Sequence, residues 1–281
     1  MQENNQAKPP SVEALKQQWN SKAKYYQDTH EKTTFIIAAT LANMLEISKA
    51  KHIFEMACGS GGFSLYFLKT FNNVETYTAC DISEEMISLA NANKTQAEGL
   101  SKETKHEFVV ANAEDLSFIK DESIDVYISN LGINFVPDTN KALQEAKRVL
   151  KKGAKIGLSV PVLEKGSLFE VIFSTFLEAN MKLPEGRSPY HLSTKETLIK
   201  VLQENGFEVN YCWDGRSSYP CNKESDIDYF LNGGDFGPFY RQFDEETQKT
   251  IREKVLKEFA KMKEGYIAPF LGALSIVATK P

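Results

Sequence analysis

The residue types best suited to chemistry gather in and just after one stretch, HIFEMACGSGGFSLYF, from His52 to Phe67. An apolar run carries an acid, Glu55. A short loop with Gly59 and Gly61 follows, and a second apolar run begins at once with a different period. Such a loop brings backbone against whatever binds there, because a Cβ would stand in the ligand's path. Two common phosphate-binding patterns fail. From Gly59, G-x-G-x-x-G would need its last glycine where Ser64 stands; from Ala57 its first glycine is missing; and no Lys-Ser or Lys-Thr pair follows to make a P-loop. A second acid, Asp81, ends the run ETYTACD at the spacing of about 20 residues where a carboxylate takes a ribose diol. The run after that, ANAEDL, adds Asn112, Glu114 and Asp115. Acids at successive strand tips would repel a pyrophosphate and suit a ligand carrying a sulfonium and an ammonium group.

The elements that must hold these residues follow from hydrophobic period. HIFEMA, ETYTACD, HEFVVA, IDVYISN and AKIGLSVP are short, apolar and bounded by polar residues or glycine, as strands buried on both faces are. Between them Gly61 to Phe71, Ser83 to Gln96 and Asn140 to Leu150 read as helices, with Ser83 as an N-cap and Gly153 at a turn. Strands alternating with helices predict a parallel sheet in an α/β fold with helices on both faces. Ahead of this unit one or two helices are expected, Trp19, Tyr25 and Tyr26 clustering in the first and Phe35, Ile36, Ala39 and Leu45 striping the second. Beyond it the alternation loosens. GSLFEVIFSTFLEANM reads as a helix, Ser193 as the cap of another ending before Gly206, and FEVNYCW as a sixth strand. Asp244 to Glu264 reads as a helix burying Ile251, Val255, Phe259 and Met262, and FLGALSIVATK as a last strand.

Composition narrows the function classes. Thirty-three basic against 38 acidic residues leave a formal charge of −5 with no sustained Lys/Arg run, which argues against nucleic acid as a partner. No segment reaches the roughly 18 apolar residues of a membrane span, and the start has neither signal-peptide nor transit-peptide character, so a cytoplasmic protein is expected. Cys58, Cys80, Cys212 and Cys221 form no C-x-x-C pair and no metal is expected; reduced thiols are the reading.

Taken together, the run FEMACGSGGFS, then YTACDISEEMISLA, FVVANAEDLSF and SIDVYISNLGINFVPDTNKALQEAKRVLKKGAKI resembles a class I S-adenosylmethionine-dependent methyltransferase. The branch is the type 11 domain, similar to the ubiquinone and menaquinone biosynthesis methyltransferases. The match covers about residues 50 to 160. The resemblance implies a Rossmann-like sheet with helical lid insertions after strands 5 and 6, and S-adenosylmethionine as cofactor. It places Glu55 and Ala57 near the methionine amino end, Gly59 and Gly61 close against the cofactor, Asp81 on the ribose hydroxyls and Ile82 on the adenine. Asn112, Ala113 and Glu114 would edge the adenine, Asn130 and Leu131 would face the methionine moiety, and the segment holding Tyr26 would fold over the site. Ala57 stands where glycine is usual, and Asn112 where aspartate is common; Asn keeps one acceptor and adds a donor.

On this reading residues 1–48 form an N-terminal helical cap and 49–281 the methyltransferase domain, with a cofactor-binding half at 50–160 and insertions at 161–192 and 213–266. Two histidines, His30 after the tyrosine cluster and His191 in SPYHLS, are candidate general bases, each equally readable as a surface histidine. Glu84 and Glu85 read as first-turn acids of a helix, and Cys58 and Cys80 as core fillers. Trp19, Tyr190, Trp213, Tyr229, Phe236, Phe239 and Tyr240 suit either an apolar pocket or a core. The expected function is methyl transfer to a small molecule. The alternative is a methyltransferase-fold accessory subunit of a larger assembly. Neither the acceptor nor the oligomeric state is written in the sequence.

Overall fold

In the computed structural model the strands at the centre of the sheet are covered on both sides. The residues described are 8–71, 73–182, 185–219, 221, 223–265 and 268–281. Residues 1–7 of the expected cap, 183–184, 220, 222 and 266 of the expected insertions, and residue 267 lie outside them. β1 (His52–Met56) is buried from Ile53 to Met56. It pairs in parallel with β2 (Thr76–Asp81) on one side and β4 (Ile124–Asn130) on the other, while β3 (Lys105–Val110) pairs with β2 and β5 (Leu150–Val162) with β4. With β6 (Glu208–Ser218) and β7 (Phe270–Thr279) the order is β3-β2-β1-β4-β5-β7-β6. The chain order reverses between β1 and β4, the position at which open α/β sheets hold their ligands.

Helices α1 (Val12–Thr29) and α2 (Glu31–Met44) precede the sheet; α3 (Gly62–Thr70), α4 (Glu84–Gln96) and α5 (Thr139–Val149) connect its strands. Ser83 caps α4, accepting from Met86 N–H at 3.1 Å. α2 packs closely on β5, where a Cβ at Gly157 would lie 2.5 Å from Leu45. Its core face is Ile37, Ala38, Leu41, Ala42 and Leu45. Ile36, expected on that stripe, points outward at 49% exposure, because the face is turned by one residue.

Two further boundaries differ from the sequence reading. Thr194, not Ser193, caps α7 (Lys195–Glu204), in a reciprocal capping box with Thr197; both residues are good caps, so spacing alone does not choose. β5 starts at Leu150 rather than Ala154. The chain leaves α5 directly in extended conformation, and the surplus residues are absorbed in an irregularity of the β4–β5 register between Ile124 and Val126.

The chain forms two compact units, one of Met1–Pro161, Gly186–Gly215 and Ala273–Pro281, the other of Val162–Glu185 and Arg216–Gly272. The second has its own aromatic core. Phe176 of α6 (Leu168–Glu178) meets Phe236, Tyr240 and Phe243 with ring centroids 5.8 to 6.0 Å apart. α8 (Glu224–Asn232) and the one-turn α9 (Gly237–Tyr240) bury Phe230, Leu231 and Tyr240, and α10 (Glu245–Glu264) buries Ile251, Val255, Phe259 and Met262 at helical spacing. Phe236 and Tyr240 are thus core residues, while Tyr229 is exposed.

Candidate active site

Between Met56 and α3 three residues take left-handed backbone: Ala57 (φ +57°), Gly59 (φ +56°) and Gly61 (φ +83°). Gly59 and Gly61 adopt this without a Cβ penalty, whereas Ala57 carries a cost of about 1–2 kcal/mol. The loop is tied at both ends, Cys58 N–H donating to Cys80 O at 3.0 Å and Gly61 N–H to Cys58 O at 3.1 Å. The two glycines are needed for different reasons. A Cβ on Gly59 would lie 3.1 Å from the ring of Tyr26, whereas one on Gly61 would meet Ala90 and Phe108 in the interior. Gly132, just past β4, is a third close approach, since a Cβ there would fall 2.4 Å from that of Ala57.

Three carboxylates surround this loop. Asp81 at the tip of β2 accepts from Gly59 N–H and Ser83 N–H, each at 3.0 Å, and from Ile82 N–H; burial still pushes it up to about 6. Glu55 on β1 accepts from Ser64 Oγ and from Tyr77 OH at 2.6 Å, both at Oε2, and burial pushes it up to about 7. Glu31, the first residue of α2, accepts from Ser60 Oγ and from Gly62 N–H at 3.1 Å, at the amino end of α3 where a helix favours an anion. Among the described residues no Lys or Arg pairs with any of the three. A buried acid cluster without cations leaves a place for a positively charged ligand.

A small cavity of about 20 Å³ lies at the β1–β4 crevice, lined among others by Tyr26, Glu31, Thr34, Glu55, Ala57 and Asn130. Asn130 is oriented from both sides, its Nδ2 donating to Thr34 O at 3.1 Å and its Oδ1 accepting from Ser159 Oγ at 2.8 Å. Leu131 (φ +54°) turns the chain away, its N–H held by Ser159. The N-terminal helices cover the rim. Tyr26 OH bonds Thr34 Oγ1 at 2.9 Å, Asn20 Oδ1 accepts from Ser83 Oγ at 2.7 Å, and Lys16 pairs with Glu84 at 2.6 Å.

The structure therefore brings Tyr26, Glu55, Ala57 and Asn130 to one cleft and joins Asp81 to it through Gly59. Ile82, Asn112, Ala113 and Glu114 lie at the β2 and β3 tips. There Asn112 Oδ1 accepts from Glu114 N–H at 3.1 Å, and Glu114 from Asp138 N–H at 3.0 Å. His30 sits buried at the α1–α2 junction, against the rings of Tyr25 and Tyr26. His191 has its Nδ1 3.0 Å from Ser188 O, and burial together with Arg187 pushes it down to about 4. At neutral pH it is a neutral imidazole, with Nε2 buried and unpartnered. Burial pushes the Cys58 and Cys80 thiols up, which removes them as nucleophiles. No cluster of metal ligands occurs among the described residues. Sequence reading missed Glu31, which reaches Ser60 across 29 positions of chain and carries no spacing signal.

Residues 54–158 match the family model described as a methyltransferase domain. The ubiquinone/menaquinone biosynthesis C-methyltransferase UbiE of Rickettsia peacockii is 44% identical over 108 residues, 37% of this chain and 42% of its own length. Residues 54–158 of the chain are similar to a methyltransferase domain. The chain matches about two fifths of the length of that curated relative. Two solved structures share the fold across nearly all of this chain's length. The [4+2]-cyclase SpnF has a TM-score of 0.61 at 16% identity, covering 98% of this chain and 97% of its own. Phosphoethanolamine N-methyltransferase 2 of Haemonchus contortus, in complex with phosphomonomethylethanolamine and S-adenosylhomocysteine, has a TM-score of 0.55 at 13% identity, covering 97% and 60%.

Proposed function

We propose that this protein transfers a methyl group from S-adenosylmethionine to a small-molecule acceptor in the cytoplasm. The observation that carries the reading is the trio Glu31, Glu55 and Asp81, set without a paired cation around a left-handed glycine loop at the point where the sheet reverses. The donor set fits the cofactor. Asp81 uses three of the roughly four lone-pair directions of a carboxylate and retains capacity for a ribose hydroxyl. Glu55, with both hydrogen bonds on one oxygen, keeps Oε1 for an ammonium. Gly59 anchors Asp81 through its N–H and packs against Tyr26, and Asn130 and Leu131 face the methionine end. Ile82 and the Asn112–Glu114 turn provide a cradle for the adenine.

The cofactor, when bound, supplies an electrophilic methyl on a sulfonium. What this chain adds is alignment and exclusion of water: the cap closes over the cleft and the strand tips fix the donor, the terms that dominate an in-line displacement. The acidic balance speaks for a small acceptor and against nucleic acid. No helix among the described residues is long and apolar enough to cross a membrane. The test is a screen of small acceptors, phenols, quinols and amines among them, with labelled S-adenosylmethionine. Label in an extracted product that disappears in Asp81→Ala supports the reading, and failure with every acceptor despite tight cofactor binding turns it towards a non-catalytic role.

A further inference from the structure

We propose that Glu55 gives up a proton when this site takes in the ammonium group of its cofactor, so that cofactor binding is linked to pH; the inference rests on the function proposed above. Three carboxylates, Glu31, Glu55 and Asp81, gather at the glycine loop, and among the described residues no Lys or Arg forms an ion pair with any of them. The cavity at the β1–β4 crevice is about 20 Å³ and has Glu31 and Glu55 in its wall, beside Tyr26, Thr34, Ala57 and Asn130. A space of that size holds one water-sized group, and an ammonium is water-sized. An acid wall without a cation of its own favours the ammonium over a neutral group of equal size.

The surroundings of Glu55 decide that it is the acid holding a proton before the ligand arrives. From β2, Tyr77 OH donates to its Oε2 at 2.6 Å and Asp81 adds a like charge; from α3, Ser64 Oγ donates to the same oxygen; from α2, Glu31 adds a second like charge. Burial keeps the Tyr26 phenol of α1 and the Cys58 and Cys80 thiols of the loop and β2 neutral. β4 contributes Ile128 in register and the uncharged Asn130. Of the cationisable side chains on these helices, Lys16 and Lys24 pair with Glu84 and Asp28, His30 lies against the rings of Tyr25 and Tyr26, and Lys69 lines an outer depression. Glu55 is therefore raised to about 7, chiefly by burial and further by Asp81 and Glu31, against the pull of the two hydroxyls. Asp81, with three backbone N–H groups on it, ionises earlier, at about 6. Without ligand, Glu55 at neutral pH is in part the carboxylic acid, its proton on Oε1, the oxygen that accepts no hydrogen bond among the described residues. An ammonium beside it favours the carboxylate. The O–H bond breaks with its electron pair left on oxygen, the proton goes to solvent, and the ammonium keeps its own. The bound state then holds fewer protons than the free one, so binding tightens as pH rises through about 7.

Calorimetric titration of the intact protein with S-adenosylhomocysteine, which carries the ammonium and no sulfonium, reads the linkage; heats in buffers of different ionisation enthalpy give the number of protons released. The wild type should release about half a proton per ligand at pH 7, and its Kd should fall about eightfold from pH 6 to pH 7.5. 5′-Methylthioadenosine, a thioether of the same nucleoside without the amino-acid end, should release less than about a tenth of a proton at pH 7, with a Kd that changes less than about twofold over that range. Glu55→Gln keeps an oxygen for Ser64 and Tyr77 and should bring S-adenosylhomocysteine to the same behaviour. Equal wild-type heats in every buffer, or equal proton release by the two ligands, overturns the proposal, and neither reading needs the variant. Proton release that persists in a folded Glu55→Gln overturns it as well. A wild type that binds neither S-adenosylmethionine nor S-adenosylhomocysteine overturns the function itself, a separate and distinguishable result.

Discussion

Asp81 has two duties. Its carboxylate fixes the glycine loop through Gly59 and the start of α4 through Ser83, and in the proposed function the same group takes the ribose hydroxyls. Asp81→Ala should weaken S-adenosylmethionine binding by about 1.5–3 kcal/mol, as a charged acceptor is lost from a buried site; an unchanged Kd in the folded variant would remove the ribose assignment. Glu55 has a different signature. Its proton equilibrium, raised to about 7, and that of Asp81, raised to about 6, both lie above unfolded carboxylate values. The native state therefore binds more protons than the unfolded chain between about pH 4 and 7, so stability is greatest below that window and is lost as pH rises through it, by roughly 3 kcal/mol for Glu55. The ligand-free melting temperature should fall from pH 5 to pH 8, and Glu55→Gln should flatten that fall. A wild-type melting temperature that rises over the same range would contradict the buried charge.

Among the elements, the glycine loop shows how two similar residues divide. Gly61 faces Ala90 of α4 and the Phe108 ring of β3, so its place is decided by packing as well as by its positive φ. Gly61→Val should cost about 2–4 kcal/mol, the sum of left-handed strain and overpacking. A native-like melting temperature in that variant would show that α4 and Phe108 yield to the side chain. The loop, Asp81 and the strands around them were legible in the sequence because each lies in or at the end of a local apolar run, so period and tip position name the residue. The cap's contribution was not. Glu31 and Asn20 reach the rim through pairings 29 and 63 positions away, which no periodicity records. The aromatic residues between Trp213 and Tyr240 were opaque for another reason. Phe236 and Tyr240 belong to a short turn and a one-turn helix, and their burial depends on Phe176 from a distant helix.

For the molecule as a whole, the fold alone leaves the activity open, since the same architecture hosts unrelated chemistry, as the likeness to a cyclase illustrates. What argues for methyl transfer is the site: acids at successive strand tips, a left-handed loop and a helical cap that latches onto both through Tyr26 and Glu31. The measurement that bears on this most directly is calorimetric titration of the intact protein with S-adenosylmethionine at neutral pH, with Asp81→Ala alongside. A saturable, one-site isotherm with a dissociation constant of about 1–100 μM, weakened at least about tenfold in Asp81→Ala, is the expected result. A folded wild-type protein that gives no binding heat and no thermal shift at about 1 mM ligand would contradict it.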